Sequence, residues 1–383
     1  MKRYTHAVPL HPEDRDIVER FLASALRGSP ESQEIWAQFL LSLSHRLDAI
    51  PNTGDGLIQK ASVAGFLLAA LLRNCYPGDA GAFYWQAGEL RKTVFRLAES
   101  LGVHLLPVHF YSPVPAVRQL DPVIFSRRSE LPGIDLNEAA QLALLSTFAE
   151  KFRHEYDRFP MDKPPGSMPH TFFVSNGYYQ GVDAEILYCM VRHFKPRRIL
   201  EIGSGYSTYL SAASIARNSE EDTSYRCELV VIEPFPNEVL AKGFPGLTRL
   251  IPKRVQEVPW SEFQRLEEND ILFIDSSHVL KIGSDVQYEY LEILPRLQIG
   301  VLVHVHDVFL PLEYPADWVL QMNRYWTEQY LLQAFLAFNR AFAVVVAGSW
   351  LHATHPDVLE STFRTFKHDQ ARRLGFFWMR RSA

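Results

Sequence analysis

The chain has 383 residues, of which 47% are hydrophobic and 22% charged, and its formal net charge is −5. This length suits two domains or one large domain with an extension, and the composition is that of a globular protein with a sizeable core. The negative charge gives no general attraction to nucleic acid or anionic lipid, so we expect neither nucleic acid nor a membrane as partner.

The cysteines and the apolar segments favour a cytoplasmic protein. Cys75, Cys189 and Cys227 are scattered and lack the C-x-x-C spacing of zinc and redox motifs, which fits a reducing compartment. The N-terminal residues lack the apolar core of a signal peptide. The most apolar stretch, residues 61–72, is too short to cross a bilayer and is expected to be a buried helix.

Three regions follow one another along the chain. Residues 1–105 repeat apolar side chains at three- and four-residue spacing, which predicts an α-helical N-terminal region. Residues 106–170 form a connecting or lid segment, because prolines exclude a helix over 109–115 while a helix is predicted over 137–159. The proline-rich residues 161–169 mark the boundary to a third region, 171–383.

In the third region, short β-rich runs alternate with helical patterns. Strands are predicted over residues 198–202, 229–233, 248–254, 271–275, 300–305, 342–347 and 375–379, and helices over 206–217, 286–294, 318–338 and 356–370. This alternation predicts an α/β fold with a doubly wound, Rossmann-like and mostly parallel sheet. Ligands bind beyond the carboxyl ends of the strands in such sheets. The aromatic-rich helix 318–338 could belong to the core or to the surface of a homodimer.

The first predicted strand leads into the sequence Glu201-Ile-Gly-Ser-Gly-Tyr-Ser-Thr208. Its glycines let the backbone turn tightly and approach a ligand, and the following helix directs its N-terminal amides at the site. A dinucleotide site would have a third small residue, whereas this chain has Thr208 there. Glu201 can instead hold the positively charged amino group of a cofactor that carries an amino acid. The alternative is an ordinary glycine-rich turn.

A carboxylate, Glu233, ends the second predicted strand. Nucleotide-binding α/β proteins place an acid at this position, where it accepts hydrogen bonds from the ribose hydroxyls. Taken alone, a solvated glutamate at a strand end is the simpler interpretation. The glycine loop that precedes it favours the ribose role.

The fourth and fifth predicted strands end in further polar residues. Asp275 ends the fourth strand, and His306 and Asp307 end the fifth. Neighbouring parallel strands that stop level with each other would bring these three side chains within reach of one divalent metal ion, Mg²⁺ or Mn²⁺. Such an ion could acidify a substrate hydroxyl. The alternative is a set of polar groups at the sheet edge that hold no metal.

A histidine follows the fourth strand at a distance suited to catalysis. His278 lies three residues past Asp275, and an imidazole there could take a proton from a hydroxyl as general base. An isolated loop histidine would more commonly be a surface residue, but the neighbouring carboxylates favour a catalytic role for His278 and Asp275. Of the two histidines on the fifth strand, we expect only His306, which is nearer the end than His304, to face the site.

Several of these motifs resemble a known family. The sequences Glu201-Ile-Gly-Ser-Gly-Tyr-Ser-Thr208, Phe273-Ile-Asp-Ser-Ser-His278 and Val303-His-Val-His-Asp-Val308 are similar to those of class I S-adenosylmethionine-dependent methyltransferases. Among these, the chain resembles most the bacterial branch grouped as methyltransferase family 24. The similarity extends over residues 176–379, whereas residues 1–100 resemble no family that we can name.

The resemblance implies a seven-stranded sheet whose last strand is antiparallel and lies beside the sixth. It also implies S-adenosylmethionine as cofactor, with Glu233 on the ribose. Gln256 falls where the family contacts adenine, although the usual acid is absent there. The residues that would hold the remaining parts of the cofactor are Glu201, Gly203, Ser204, Gly205, Tyr206, Ser207 and Asp275.

The metal-dependent catechol O-methyltransferases provide a mechanistic comparison. Asp275 matches the aspartate that ends their fourth strand, and the pair His306-Asp307 stands where they have Asp-Asn. His278 occupies the position of their catalytic lysine. A similar arrangement in macrolide-sugar O-methyltransferases favours a hydroxyl of a small molecule or saccharide as methyl acceptor.

Further substrate contacts are predicted before the sheet, where His109 and Tyr111 could reach the acceptor from an ordered loop; packing is the alternative role. Two other functions are left open for the chain as a whole. One is a nucleotide-dependent oxidoreductase, against which Glu201 and Thr208 both speak. The other is a non-catalytic module that binds ligand on the same fold.

Overall fold

A computed structural model of the protein describes residues 104, 106, 110–368 and 373–383. The chain divides into two compact units, Met1–Gln119 and Leu120–Ala383, and the strands of the described sheet all belong to the second. Except for residue 104, the predicted helical region 1–105 lies outside the described residues, as does His109. Residues 120–170 belong to the same compact unit as the sheet.

The second unit alternates strands and helices in chain order. Its strands are β1 (Arg198–Ile202), β2 (Glu228–Ile232), β3 (Arg249–Ile251), β4 (Ile271–Ile274), β5 (Leu302–His306), β6 (Phe342–Ala347) and β7 (Phe376–Arg381). The helices are α1 (Glu138–Tyr156), α2 (Val182–Phe194), α3 (Tyr206–Glu221), α4 (Glu238–Lys242), α5 (Trp260–Phe263), α6 (Asp285–Tyr288), α7 (Ala316–Leu320), α8 (Glu328–Leu336), α9 (Gly348–Thr354), α10 (Pro356–Thr362) and α11 (Arg364–His368). All seven predicted strands are therefore present.

The seven strands form one sheet in the order β3-β2-β1-β4-β5-β7-β6. Strand β7 runs antiparallel to both of its neighbours, β5 and β6, and the other pairs are parallel. The predicted doubly wound sheet with an antiparallel last strand is confirmed. Strand order reverses at β1, where β2 lies on one side and β4 on the other, so this is the switch point at which such sheets bind ligands.

The core lies on both faces of the sheet because successive side chains of a strand point to opposite faces. Ile199 and Phe273 belong to one buried cluster, with α1, α2 and α3. Leu200 and Ile274 belong to a second cluster, with the segment that follows α6 and with α8. Because apolar side chains cover both faces of the sheet, the polar groups of a ligand site are expected at the strand ends.

The register brings several strand ends to one level. Ile202 of β1 pairs with Ile232 of β2 and with Ile274 of β4. Ile274 in turn pairs with Val305 of β5. The residues that follow these four positions therefore meet at one edge of the sheet, as the sequence predicted.

The predicted single helix over 318–338 is wrong. Helix α7 ends at Leu320 and α8 begins at Glu328, and between them Asn323 has a left-handed backbone, with φ +55°. The connecting residues leave the helical path and return over the strand ends, where the backbone N–H of Thr327 donates to the carbonyl of His278 at 3.0 Å. Tertiary contacts with the site thus override the helical pattern of the sequence.

Two other predicted helices are interrupted as well. Residues 286–294 form α6 followed by a π-helix, Glu289–Ile293, which places Glu289 in the buried interior. The helix predicted over 356–370 is divided at Phe363, whose side chain is buried in the core. Within the described ranges, none of the helices has the length and apolar character needed to span a bilayer.

Candidate active site

Two cavities open at the carboxyl ends of the strands. The larger has a volume of about 1150 Å³ and extends from the glycine loop after β1 to the residues around α7. The smaller, of about 440 Å³, lies on the side of β2 and β3. Asp275 lines both cavities. A ligand with two chemically different halves could therefore extend from one cavity into the other past this residue.

The glycine loop brings β1 and β4 into close contact. Gly203 has φ +90°, and a Cβ at this position would overlap the backbone oxygen of Asp275. Gly205 has an extended backbone, with φ 167°, and no protein atom lies within 4 Å of where its Cβ would be. Gly203 is thus required by the fold itself, whereas Gly205 leaves open space beside the larger cavity.

Glu201 lies beneath this loop and is buried, with 1% of its surface exposed. Its Oε1 accepts a hydrogen bond from the hydroxyl of Ser207 at 2.6 Å, while its Oε2 is buried without a partner among the described residues. Burial raises the pKa of Glu201 to about 8, although the Ser207 hydroxyl opposes this shift. A buried acceptor without a donor is costly, so the site suits a ligand that brings a cationic N–H group.

The smaller cavity contains the two residues predicted to contact the nucleoside. Glu233 and Gln256 both line it. The Oε2 of Glu233 accepts from the Ser204 hydroxyl at 3.0 Å, and Oε1 accepts from the backbone N–H of Phe235 at 2.8 Å. Gln256 donates to the carbonyl of Gly283 at 2.9 Å. Ser204, Tyr206 and Ser207 line the larger cavity.

His278 lies among three carboxylates. Its Nδ1 is 2.8 Å from Oε2 of Glu328. Its Nε2 is 3.3 Å from Oδ1 of Asp275 and 3.7 Å from Oδ2 of Asp307. His278 and Asp307 both have left-handed backbones, with φ +60° and +53°, a strained conformation for such residues that is enriched at functional sites.

This cluster controls the protonation of its members. Burial alone would lower the pKa of His278, but the hydrogen bonds with Asp275 and Glu328 outweigh it and hold that pKa well above the usual value. Burial alone would raise the pKa of Asp275, but His306 and His278 outweigh it and lower that pKa to about 2. The cluster is therefore an imidazolium held by carboxylates at neutral pH.

The two histidines of β5 differ in depth. Their rings are stacked at 5.8 Å, so both point to the same face of the sheet, as residues two apart on a strand do. His306 lines the larger cavity, whereas His304 is fully buried, and burial holds the pKa of His304 well below the usual value. His306 is the one that reaches the cavity, because it is nearer the strand end.

The predicted metal ligands do not form a metal site. Asp275, His306 and Asp307 lie at one edge, with His306 Nε2 at 3.6 Å from Asp307 Oδ1. The imidazole of His278, however, contacts both carboxylates from the position that a shared cation would take. In the part of the chain described here, no group of three or more His, Cys, Asp and Glu side chains could hold a metal ion. The residues therefore do not fit the predicted metal ion.

Sequence reasoning missed Glu328, the buried partner of His278, and Glu289, whose Oε2 accepts from the Ser276 hydroxyl at 3.0 Å. Burial raises the pKa of both glutamates. Glu328 lies in the sequence Trp326-Thr-Glu-Gln-Tyr330, whose charged residue beside aromatic ones was a usable signal. Nothing in the sequence pointed to Glu289, because its burial depends on the π-helix.

Tyr111 belongs to the first compact unit. Its side chain is exposed and its ring lies 4.3 Å from that of Phe110. A substrate contact by His109 or Tyr111 remains a prediction, since His109 lies outside the described residues.

The chain is similar to a known protein family and to a protein from another organism. The family model of methyltransferase family 24, described as a methyltransferase domain, matches residues 200–308, which contain the glycine loop, Asp275 and Asp307. An uncharacterized protein of Archaeoglobus fulgidus is 34% identical over 175 residues, which cover 43% of this chain and 75% of the relative.

The chain also matches solved structures, among them the following two. One is the plantazolicin methyltransferase BamL in complex with a triazolic desmethylPZN analog and SAH, with 12% identity, a TM-score of 0.32, and coverage of 65% of this chain and 100% of that one. The other is OxaC, with 12% identity, a TM-score of 0.28, and coverage of 96% and 98%. TM-scores this low carry no weight for function. The family match and the seven-stranded sheet together place the chain among the class I S-adenosylmethionine-dependent methyltransferases, where it belongs to the family 24 group.

Proposed function

We propose that the protein is an O-methyltransferase that moves the methyl group of S-adenosylmethionine to a hydroxyl of a small molecule or saccharide. One observation carries the proposal: Asp307 lines the larger cavity, and Nε2 of His278 lies 3.7 Å from its Oδ2. A carboxylate presented to a cavity in this way can accept a hydrogen bond, and then a proton, from a hydroxyl group.

The residues present fit the cofactor. The unpartnered oxygen of Glu201 and the open space at Gly205 suit its amino-acid end, with Tyr206 and Ser207 lining the same cavity. Glu233 and Gln256 line the smaller cavity and suit the nucleoside end. Asp275 borders both, which suits the position between the two ends. When bound, S-adenosylmethionine supplies an electrophilic methyl group on a sulfonium centre.

In this proposal, Asp307 accepts the proton of the acceptor hydroxyl. The sequence favoured His278 as general base, but an imidazole whose pKa is held well above the usual value already carries its proton at neutral pH. His278 then acts as a positioning residue that orients Asp275 and Asp307. Its charge also offsets the repulsion between the two carboxylates. Positioning of the hydroxyl for in-line displacement supplies most of the rate enhancement.

The alternative functions are less well supported. An NAD-dependent oxidoreductase would need a glycine loop that accepts a pyrophosphate, yet Glu201 lies under this loop, and at the third glycine position Thr208 Oγ1 accepts from the N–H of Gly205 at 3.0 Å. A non-catalytic module would bind cofactor without using Asp307. Turnover of an acceptor therefore separates a non-catalytic module from the proposed O-methyltransferase.

The test combines S-adenosylmethionine carrying a ¹³C-labelled methyl group with a panel of phenols, alcohols and saccharides. The ¹³C chemical shift of the product distinguishes an O-methyl group from an N- or C-methyl group. We expect O-methyl products and their loss in Asp307→Asn. The matched control is Asp317→Asn, which changes an exposed aspartate of α7 that lines the same cavity. Methylation at nitrogen or carbon only, or full turnover by Asp307→Asn, would overturn the proposal.

A further inference from the structure

One side of the larger cavity is built from three aromatic rings, Phe309, Trp318 and Trp326, which we call the aromatic wall. The ring of Phe309 lies 5.3 Å from that of Trp318, and Trp318 lies 5.1 Å from Trp326. Trp326 also packs on His278, with 4.4 Å between ring centroids. The wall thus begins at the proposed catalytic cluster and leads away from it along the cavity.

The guanidinium group of an arginine contacts this wall. The guanidinium carbon of Arg324 lies 4.7 Å from the ring centroid of Trp318 and 5.1 Å from that of Trp326. Arg324 lines the cavity and forms no ion pair with a carboxylate in the described part of the chain. Contact with two indoles restrains the guanidinium of Arg324, while its N–H groups remain available to a ligand.

A second arginine is fixed beside the same wall by different contacts. Arg373 donates from Nη1 to the carbonyl of Glu313 at 3.0 Å and from Nη2 to the carbonyl of Phe125 at 3.1 Å. The side chain is half-buried, lines the cavity and has no carboxylate partner among residues 110–368 and 373–383. A guanidinium has five N–H donors, so several remain for a ligand.

Charge is therefore divided within the cavity. The carboxylates of Asp275 and Asp307 lie at the strand ends, whereas Arg324 and Arg373 lie at the aromatic wall. The wall side also carries one carboxylate, that of the exposed Asp317 of α7. Two backbone carbonyls hold Arg373 before any ligand binds, which lowers the entropy lost on binding. Planar guanidinium groups match carboxylate and phosphate oxygens in geometry.

We propose that Arg324 and Arg373 form an anion subsite, and that the methyl acceptor carries a carboxylate or phosphate on the side opposite its reacting hydroxyl. This inference rests on the proposed function, because it assigns the larger cavity to the acceptor. An anionic group near the hydroxyl would be repelled by Asp275 and Asp307. The acceptor is thus a ring or chain with its hydroxyl directed to Asp307 and its negative charge at the wall.

The test uses related probes that share a ring with a hydroxyl group and differ in whether they carry a carboxylate or phosphate. Glucose, glucuronate and glucose 6-phosphate, and likewise 4-hydroxybenzyl alcohol and 4-hydroxybenzoate, are titrated by calorimetry into protein saturated with S-adenosylhomocysteine. We expect an anionic member to bind at least tenfold more tightly than its neutral counterpart. The preferred member, phosphate or carboxylate, identifies the anionic group.

The variants Arg324→Gln and Arg373→Gln assign the preference to the subsite. Each substitution should reduce the preference for the anionic probe several-fold, and raising the salt concentration should weaken this preference in the wild type. Arg226→Gln is the matched control, because Arg226 is also bound to two backbone carbonyls but does not line the cavity. Arg324 is exposed, so its variant should fold even if Arg373→Gln does not.

Equal affinity for charged and neutral probes would overturn the subsite, and so would a preference that survives in Arg324→Gln. Binding of S-adenosylhomocysteine is measured first in every variant and does not depend on the subsite. A wild-type protein that does not bind S-adenosylhomocysteine would contradict the proposed function itself. O-methylation of neutral acceptors only would leave that function intact and refute the anion subsite.

Discussion

Nδ1 of His278 and Oε2 of Glu328 lie 2.8 Å apart in the interior, although the residues are 50 positions apart in the chain. Both side chains are buried, with 5% and 1% of their residue surfaces exposed. A short contact between a buried imidazole and a buried carboxylate keeps the proton on Nδ1, and it directs Nε2 at Asp275 and Asp307. Glu328 thus sets the charge and orientation of the ring from the side away from the cavity.

The variant Glu328→Gln tests this relationship. Its amide can occupy the same space but removes the negative charge, so the pKa of His278 should fall towards the ordinary value. If the imidazolium positions Asp307, the alkaline limb of the kcat profile should move to lower pH, and kcat at neutral pH should fall by roughly tenfold while KM changes little.

The control is Glu292→Gln, which alters an exposed glutamate that pairs with Arg296. A merely structural role for Glu328 would lower the stability of the variant without moving the pH profile. An unchanged alkaline limb in a folded Glu328→Gln protein would therefore contradict the positioning role.

We expect cofactor binding to depend on pH through Glu201. Burial raises its pKa to about 8 in the ligand-free protein, so the carboxyl is largely protonated at pH 7. An ammonium group of the ligand favours the carboxylate, and binding should therefore release a proton. The affinity for S-adenosylhomocysteine should rise between pH 6 and 8 by up to about tenfold per pH unit and then level off. Calorimetry in buffers of different ionisation enthalpy measures the released proton directly.

The same residue has the opposite effect on stability. An acid whose pKa rises on folding from 4.5 to about 8 stabilises the folded state below pH 4.5, and this contribution is lost as the pH rises through 8. Glu201→Gln should therefore melt at a higher temperature than the wild type at pH 8 and at a similar one at pH 5. It should also bind cofactor weakly and without the pH dependence. Equal melting temperatures at pH 8 would count against a buried, destabilising carboxylate.

Two glycines of one loop should respond differently to the same substitution. Gly203→Ala combines a left-handed backbone with overlap of the Asp275 backbone oxygen, so the free energy of unfolding should drop by more than about 3 kcal/mol. Gly205→Ala meets no protein atom within 4 Å and has an extended backbone, so stability should be nearly unchanged. Its methyl group instead occupies space assigned to the cofactor, and binding of S-adenosylhomocysteine should weaken at least tenfold. Chemical denaturation and calorimetry of both variants separate the two effects.

The strands were the most predictable part of the fold. All seven were located because fully buried strands are continuous apolar runs with polar residues at their ends, and the site residues follow from those ends. Helices were less predictable wherever tertiary contacts override local preference: the segment between Leu320 and Glu328 leaves the helix to cover His278. The contact between His278 and Glu328 depends on the path of this connecting segment, so no local sequence pattern could reveal it.

Direct observation of the His278 ring decides between the two roles considered for it. Three carboxylates surround a buried imidazole, and their attraction outweighs the cost of burying its charge. Because its pKa is raised, the ring stabilises the folded state below the ordinary histidine pKa near 6.5, and that stabilisation persists until the pH rises through the folded-state value. NMR of ¹⁵N-labelled histidine should therefore show an imidazolium at His278 from pH 6 to 8, assigned by its absence in His278→Gln. In Glu328→Gln the same signal should titrate at lower pH. A neutral ring at pH 7 in the wild type would instead restore His278 as general base, and Asp307→Asn would then retain substantial turnover.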